Sequence, residues 1–446
     1  MQNIAIGLFI TIIAVLGFFL LGFLIYSYFE EESKAFKRGI SIFLFYVIII
    51  VGISFIPFIF YPWLAFFSII GVFVLLIKFG NSKIDFIIPE NRFDERDVMF
   101  SRNELKEGTE KFESYYKYRP GNKEADDEFR KEPGLLATGS TFYNEVLFSA
   151  ANATFRTVNL LQPLAEQSPS DIKTNVSEKE LTEFLKGWAL KLGAADIGFT
   201  NVKPHHIYTH IGRGEAYGKE VELNHQYAIA FTVEMSYKAM MYNPRGPVVM
   251  ESAQQYLNAG NIAVQLTQFL RNLGFEARAH IDANYRVICP IIAQDAGLGT
   301  IGRMGLLMTP KLGARVRIGV VTTNLKLPLN KKPIDYSMIH FCEICKKCSE
   351  NCPSQSISFR SVSTSKNPER WTIKHESCFT YWCKSGTDCG RCMAVCPYSH
   401  PDNFMHNIIR WMIKRNPVNR WFALKLDTYF YGSKPPAVKM LNKMFG

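Results

Sequence analysis

Nine of the ten cysteines in this 446-residue chain fall between Cys342 and Cys396, in two tightly spaced runs. The first is Cys342-x2-Cys345-x2-Cys348-x3-Cys352-Pro353. The second is Cys389-x2-Cys392-x3-Cys396-Pro397, with Cys378 and Cys383 upstream of it. Three thiolates at two-residue intervals wrap three corners of an iron–sulfur cubane, and the fourth cysteine of such a run, before proline, ligates the other cluster. The runs predict two [4Fe–4S] clusters. One is on Cys342, Cys345, Cys348 and Cys396; the other is on Cys352, Cys389, Cys392 and one of the two upstream cysteines. A structural zinc site needs only four ligands, so nine cysteines with two Cys-Pro terminators argue against it. Two clusters side by side make an electron wire. Cys289 stands alone and reads as an ordinary buried thiol.

The first 78 residues are almost wholly apolar, whereas the remainder has the composition of a soluble protein. Stretches 3–28, 40–58 and 61–77 each predict a transmembrane helix, since a hydrocarbon core needs roughly 20 apolar residues. Pro57 and Pro62 suit the turn between the second and third. The first stretch lacks a basic leader region and a small-residue cleavage site, which argues against a cleaved signal peptide, and no twin-arginine signal is present. Lys34, Lys37 and Arg38 follow the first span, and Lys78 and Lys83 follow the third. The positive-inside bias then predicts a multi-pass protein of the cytoplasmic membrane with its soluble body facing the cytoplasm. A reducing compartment also keeps cluster thiolates from pairing as disulfides. The net charge of +11 is concentrated in residues 401–446, which hold eight Lys/Arg against Asp402 and Asp427. Trp411, Trp421, Phe422, Tyr429 and Phe430 interleave with those cations. Beside an anchor, such a stretch rests on membrane lipid headgroups or packs as a terminal flap; a nucleic-acid partner is not expected.

Residues 86–135 are charge-dense and read as a tether with some helix, without a core. Beyond them, Ser177 and Glu180 form a capping box, and Leu181, Phe184, Leu185, Trp188 and Leu192 make one apolar face. Gly193 stands where a helix ends. Strands are expected at 195–199, 227–233, 275–281 and 315–322, and a long helix at 252–273. Strands alternating with helices imply an α/β layered domain. Gly297-x-Gly299-x2-Gly302 matches a phosphate-binding string but lacks the strand–helix context that would support a dinucleotide. The expected organisation is a three-helix anchor (1–80), a polar linker (81–140), an α/β domain (141–335), a two-cluster ferredoxin-like domain (336–402) and a basic aromatic flap (403–446).

Several words around these elements are similar to those of the cobalamin-dependent (corrinoid) reductive dehalogenases. They include Cys378-Phe-Thr-Tyr-Trp382, the run from Gly386 to Pro401, Asn284-Tyr-Arg-Val-Ile-Cys-Pro290, Asp295-Ala-Gly-Leu-Gly299 and Gly302-Arg-Met-Gly305. Ala194–Phe199 and Glu234-Met-Ser-Tyr237 fit as well. The resemblance implies a nitroreductase-like α/β sandwich that binds base-off cobalamin, joined to a bacterial-ferredoxin-like domain. It also implies that Cys378 is the upstream cluster ligand and Cys383 is not. The implied reaction replaces C–X by C–H in a small organohalide, with two electrons and one proton. Tyr237 is then the expected proton donor, Arg303 the cation that lowers its pKa, and Asn284 a hydrogen-bonding partner of substrate or cofactor. The electron donor would be a ferredoxin, a flavodoxin or a membrane quinol system. A built-in anchor departs from the family's usual exported, twin-arginine form.

Two rivals share the cysteine pattern. An epoxyqueuosine-type reductase would use Asp295 as its proton donor, and a non-catalytic membrane electron-transfer protein would carry clusters without corrinoid. A histidine loop at His205, His206 and His210 is read as a plain loop cluster.

Overall fold

The computed structural model describes residues 2–80, 91–329, 335–360, 363–364, 367–368, 371 and 373–435. In chain order the helices are α1 (Gln2–Phe29), α2 (Ser33–Ser54), α3 (Tyr61–Leu76), α4 (Met99–Asn103), α5 (Glu110–Tyr118), α6 (Lys123–Arg130), α7 (Glu145–Leu160), α8 (Glu178–Lys191), α9 (Tyr237–Met240), α10 (Gly246–Asn272), α11 (Cys289–Asp295), α12 (Tyr336–Cys345), α13 (Lys347–Glu350), α14 (His375–Ser385), α15 (Arg391–Ala394), α16 (Phe404–Ile413) and α17 (Pro417–Phe430). The strands are β1 (Asp196–Asn201), β2 (Tyr227–Glu234), β3 (Ala277–His280), β4 (Thr300–Ile301), β5 (Leu307–Met308), β6 (Val316–Thr323), β7 (Ser363–Thr364) and β8 (Asn367–Pro368). Helices α1–α3, α12, α16 and α17 form one compact unit, and the elements from α4 to β6 form a second with α13–α15.

The second unit is mixed α and β. Its sheet runs β1-β2-β6-β3 with every neighbouring pair antiparallel. Alternation along β2 sorts its side chains between two faces. Ile229, Phe231 and Val233 join Leu181 and Leu185 of α8 and Ile262, Leu266 and Leu270 of α10 in one core. Ala228 and Ala230 face the other way, with Ile292 and Ala293 of α11. Small residues there admit α11 closely; a Cβ on Gly198 would come within 2.3 Å of the Ala296 carbonyl oxygen. Ser177 caps α8 by accepting the Glu180 N–H at 3.5 Å. Helix α10 begins at Gly246, earlier than its apolar periodicity suggests, because Pro247 suits a first turn. The glycine string leads into the β4–β5 hairpin, where Gly297 has φ +79°, so its glycines serve a turn.

The linker differs from expectation. Residues 99–130 fold into α4–α6, with Phe112, Tyr115, Tyr116 and Phe129 all buried. Buried Asp126 accepts from Arg102 Nε at 2.9 Å and from the Tyr116 hydroxyl at 2.7 Å. Phe112, Tyr115 and Tyr116 follow helical i, i+3, i+4 spacing, which the surrounding charges obscure.

The expectation of three spans also needs correction. Among the described residues, Ile6–Phe29 and Ser33–Ile53 are long and apolar enough to cross a membrane, while α3 is an apolar helix of 16 residues. At 1.5 Å per residue it covers about 24 Å, short of a hydrocarbon core of about 30 Å. The stretch Phe58–Phe60 before it is a tighter 3-10 turn.

Candidate active site and cluster ligands

Four of the thiols expected to bind a cluster lie in the second unit. Cys352 precedes a turn in which it accepts the Ser356 N–H at 3.3 Å. Cys378 lies on α14, and Cys389 and Cys392 sit at the start of α15. Burial, with the charge of Cys352, pushes Cys378 up to about 11. Burial, followed by Cys389, Cys378 and Cys352, raises Cys392 well above the usual thiol value. Cys383 is on a different face of α14, buried with Met99, Phe129 and Phe379. Its thiol is pushed up to about 11 by burial and then by Glu132. In the first unit, Cys342 is buried and Cys345 half-buried on α12; in the second, Cys348 and Cys396 are both buried.

The loop carrying Cys389 is seated against α9 and α10. Gly390 has φ +71°, and a Cβ there would come within 2.6 Å of Met240 Cε and 2.9 Å of Val248 Cγ1. Asp388, one residue before Cys389, accepts from Arg317 Nη2 at 3.1 Å and from the Ser252 hydroxyl. Arg317 Nη2 also donates to Ser252 Oγ at 2.6 Å. Arg317 projects from β6, and its guanidinium lies 4.7 Å from the centre of the Tyr256 ring. Ser252 and Tyr256 are four apart on α10, so one helix face presents both.

Tyr256 and Arg317 line a cavity of about 220 Å³ with Tyr208, Tyr285 and Cys289. Leu306, Leu307, Val316 and Ile318 form an aliphatic wall. Burial raises the Tyr256 phenol pKa, and Arg317 opposes that rise. Burial raises Tyr208 and Tyr285 as well and pushes Cys289 up to about 12, so that thiol is neutral. Burial would lower Arg317, but Tyr256 and Asp388 outweigh it and raise its pKa. The site is thus a pocket with an aliphatic wall and an ionised guanidinium beside a protonated phenol.

The residues singled out from sequence lie elsewhere. Tyr237 opens α9, half-buried, with the Arg315 guanidinium 5.6 Å from its ring centre. Arg303 is fully buried and donates to the Ser358 and Phe359 carbonyls at 2.9 and 3.2 Å, with Trp371 4.6 Å away. Asn284 accepts from Arg278 Nη2 at 2.7 Å. None of the three lines the cavity described above. Tyr256 and Arg317 went unnoticed because Tyr256 reads as another apolar residue of a long helix and Arg317 as a polar residue of a strand. Their signal is tertiary.

Asp295 ends α11, where Lys203 Nζ bonds it at 2.6 Å and His206 Nε2 at 3.1 Å. Burial works to raise its pKa, but His206 and Lys203 hold it down at about 2. His205, His206 and Asp295 are close enough to suggest a metal site. However, His206 Nδ1 accepts the Lys203 backbone N–H at 3.1 Å, so its Nε2 carries the proton and donates to Asp295. With an ammonium on the same carboxylate, the group is a closed hydrogen-bonded triad.

Comparison with known proteins adds family information. Residues 341–400 match the 4Fe–4S dicluster domain model. The chain is 34% identical over 218 residues to a tetrachloroethene reductive dehalogenase of Desulfitobacterium hafniense, covering 46% of this chain and 39% of that protein. A tetrachloroethene reductive dehalogenase of Sulfurospirillum multivorans is 31% identical over 210 residues, covering 45% and 41%. The chain therefore spans well under two thirds of the curated relatives it matches. Among solved structures, a catabolic reductive dehalogenase in complex with 3-bromo-4-hydroxybenzoic acid superposes with a TM-score of 0.64 at 22% identity, over 80% of this chain and 49% of that one. This likeness establishes a shared fold.

Proposed function

We propose that the chain, which is similar to tetrachloroethene reductive dehalogenases over just under half its length, is a member of the reductive dehalogenase family and reductively removes halide from a small organohalide. The supporting observation is the cavity where the Tyr256 phenol, the Arg317 guanidinium and the loop of Cys389 meet. Cobalamin, bound in a nitroreductase-like α/β domain, would supply a cobalt centre that reacts with the carbon–halogen bond and accepts electrons singly. The cavity, at about 220 Å³, is smaller than the whole group and would receive only part of it. Leu306, Leu307, Val316 and Ile318 would hold a flat macrocycle, and Arg317 Nε, buried without a hydrogen-bond partner among the described residues, awaits an acceptor.

The chain's own groups do the rest. The apolar wall excludes water, and Tyr256 O–H delivers the proton to carbon. Arg317 stabilises the phenolate left behind, while Ser252 and Asp388 hold Arg317 in place. In this proposal Tyr256 and Arg317 take the roles that the resemblance suggested for Tyr237 and Arg303, whose guanidinium is committed to backbone carbonyls. Electrons arrive through two clusters, on Cys342, Cys345, Cys348 and Cys396 and on Cys352, Cys378, Cys389 and Cys392. The donor is a ferredoxin, a flavodoxin or a membrane quinol. The epoxyqueuosine-type alternative loses ground because an Asp295 held at about 2 is ionised at neutral pH and has no proton to give. Helices α1–α3 anchor the protein in the cytoplasmic membrane with the body on the cytoplasmic side.

The test is metal analysis and turnover of the anaerobically purified chain. About eight iron and eight sulfide per chain are expected, two cubanes of four each, together with cobalt and release of halide from an organohalide. Full iron without cobalt would point instead to a simple electron-transfer protein.

A further inference from the structure

The C-terminal helix pair of the first unit is built inside out. On α16 the residues turned inward are His406, Arg410 and Ile413; on α17 they include Asn419, Arg420 and Asp427. Facing outward are Phe404, Trp411, Val418, Trp421 and Phe422, between 39% and 56% exposed. In water this arrangement costs twice, once in unburied apolar surface and again in desolvated polar groups.

Each inward polar side chain makes at least one bond within the protein. His406 Nε2 bonds Glu30 at 3.2 Å, and Asn403 donates to the same carboxylate. His400 bonds Asp427 at 2.8 Å. The other end of the pair closes α3. Asn416 Nδ2 donates to the Val74 and Ile77 carbonyls, both at 2.9 Å, and Asn419 Nδ2 to the Leu75 carbonyl at 2.8 Å. Arg420 reaches the Gly80 carbonyl at 3.0 Å. The last carbonyls of a helix are ordinarily left to water. Satisfying them with side chains is what an environment poor in water demands.

The pair also continues the surface of the membrane helices. Phe404 stacks on Phe19 at 6.3 Å, and Phe430 meets Phe23 at 4.3 Å. Cations fold over the outward indoles, with Arg415 4.1 Å from Trp411 and Lys425 5.7 Å from Trp421. Indoles beneath cationic tips match the boundary between acyl chains and phosphate headgroups.

We propose that α16 and α17 lie in the interfacial layer of the bilayer, as part of the anchor. Their outward aromatic face sits among the upper acyl chains, with Arg415 and Lys425 at lipid phosphates. The proposal rests on the reading that α1–α3 are membrane-embedded, and the test separates the two. The full chain is reconstituted into phosphatidylcholine–phosphatidylglycerol vesicles containing lipids brominated on the upper acyl chain. Tryptophan emission is compared for the parent, Trp63→Phe and the double variant Trp411→Phe/Trp421→Phe. Trp63, exposed on α3, reports the embedding of the first helices. The expected result is that most of the emission lost in the double variant is quenchable by brominated lipid. If that emission is unquenched while the Trp63 component is quenched, the face meets water, a second copy or another protein, and the proposal falls alone. If neither component is quenched, the membrane reading of α1–α3 falls with it.

Discussion

Tyr256 and Tyr237 differ in what deletion of a hydroxyl should remove. Tyr256→Phe keeps the ring in the cavity and loses the one transferable proton, so halide release should fall by roughly 10²–10⁴-fold with iron and cobalt unchanged. Arg317→Met should impair the same step, and the double variant should be little worse than Tyr256→Phe, since groups acting as a unit are not additive. Tyr237→Phe should turn over nearly normally; a collapse there with an active Tyr256→Phe enzyme would reverse the assignment. Burial raises the Tyr256 pKa, and a donor so raised loses its proton only as pH climbs through that value. The turnover profile should therefore stay flat from roughly pH 6 to 9 as far as this group is concerned. Among the cysteines, Cys378→Ser should cost one cluster and Cys383→Ser neither, read by iron content. The two-cluster domain was legible in the sequence because ligand spacing is a local property. The phenol and its cation were not, because they meet only when β6 packs across α10.

At the scale of elements, two seatings carry consequences. The loop of Cys389 fits under α9 and α10 only with glycine at 390, where φ is +71° and a Cβ would press on Met240 and Val248. Gly390→Ala should cost about 1–2 kcal/mol from the left-handed backbone alone. It should also loosen cluster retention, seen as faster iron loss to a chelator. Helix α11 is pinned at its C-terminal end by Asp295 to Lys203 and His206. A carboxyl held at about 2 contributes stability that is complete above its unfolded pKa and lost as pH falls through the folded one. Asp295→Asn should thus lower unfolding stability by at most on the order of 2 kcal/mol above about pH 4, and by less as pH falls from there towards 2. A loss that grew over that acid range would contradict the sign of this shift. Strands and long helices were readable from period and caps, within a few residues at their ends. The stretch before α7 was not, since charge density hid the aromatic spacing of α5. Its core depends on Arg102, Asp126 and Glu376, which are distant in sequence.

Over the whole molecule, the anchor's topology is constrained by α17. One end of this helix meets the α1–α2 turn, where Arg38 bonds the Tyr429 carbonyl, and the other caps the last carbonyls of α3. On the proposed membrane reading, both places would lie on one side of a bilayer. A reporter fused after Gly446 should accordingly be active only in its cytoplasmic form, given Lys34, Lys37 and Arg38 at that turn. Composition revealed the apolar start of the chain at once, but gave no sign that residues far downstream belong with it. Helix α12, which carries Cys342 and Cys345, packs against α16 and α17 in that same unit. Half the thiols expected for the first cluster thus belong to the unit that also holds α1–α3. Trimming residues 1–80 to obtain a conveniently soluble enzyme should yield a protein with about four iron atoms instead of eight. Its cavity would be intact, but its supply of electrons would be cut.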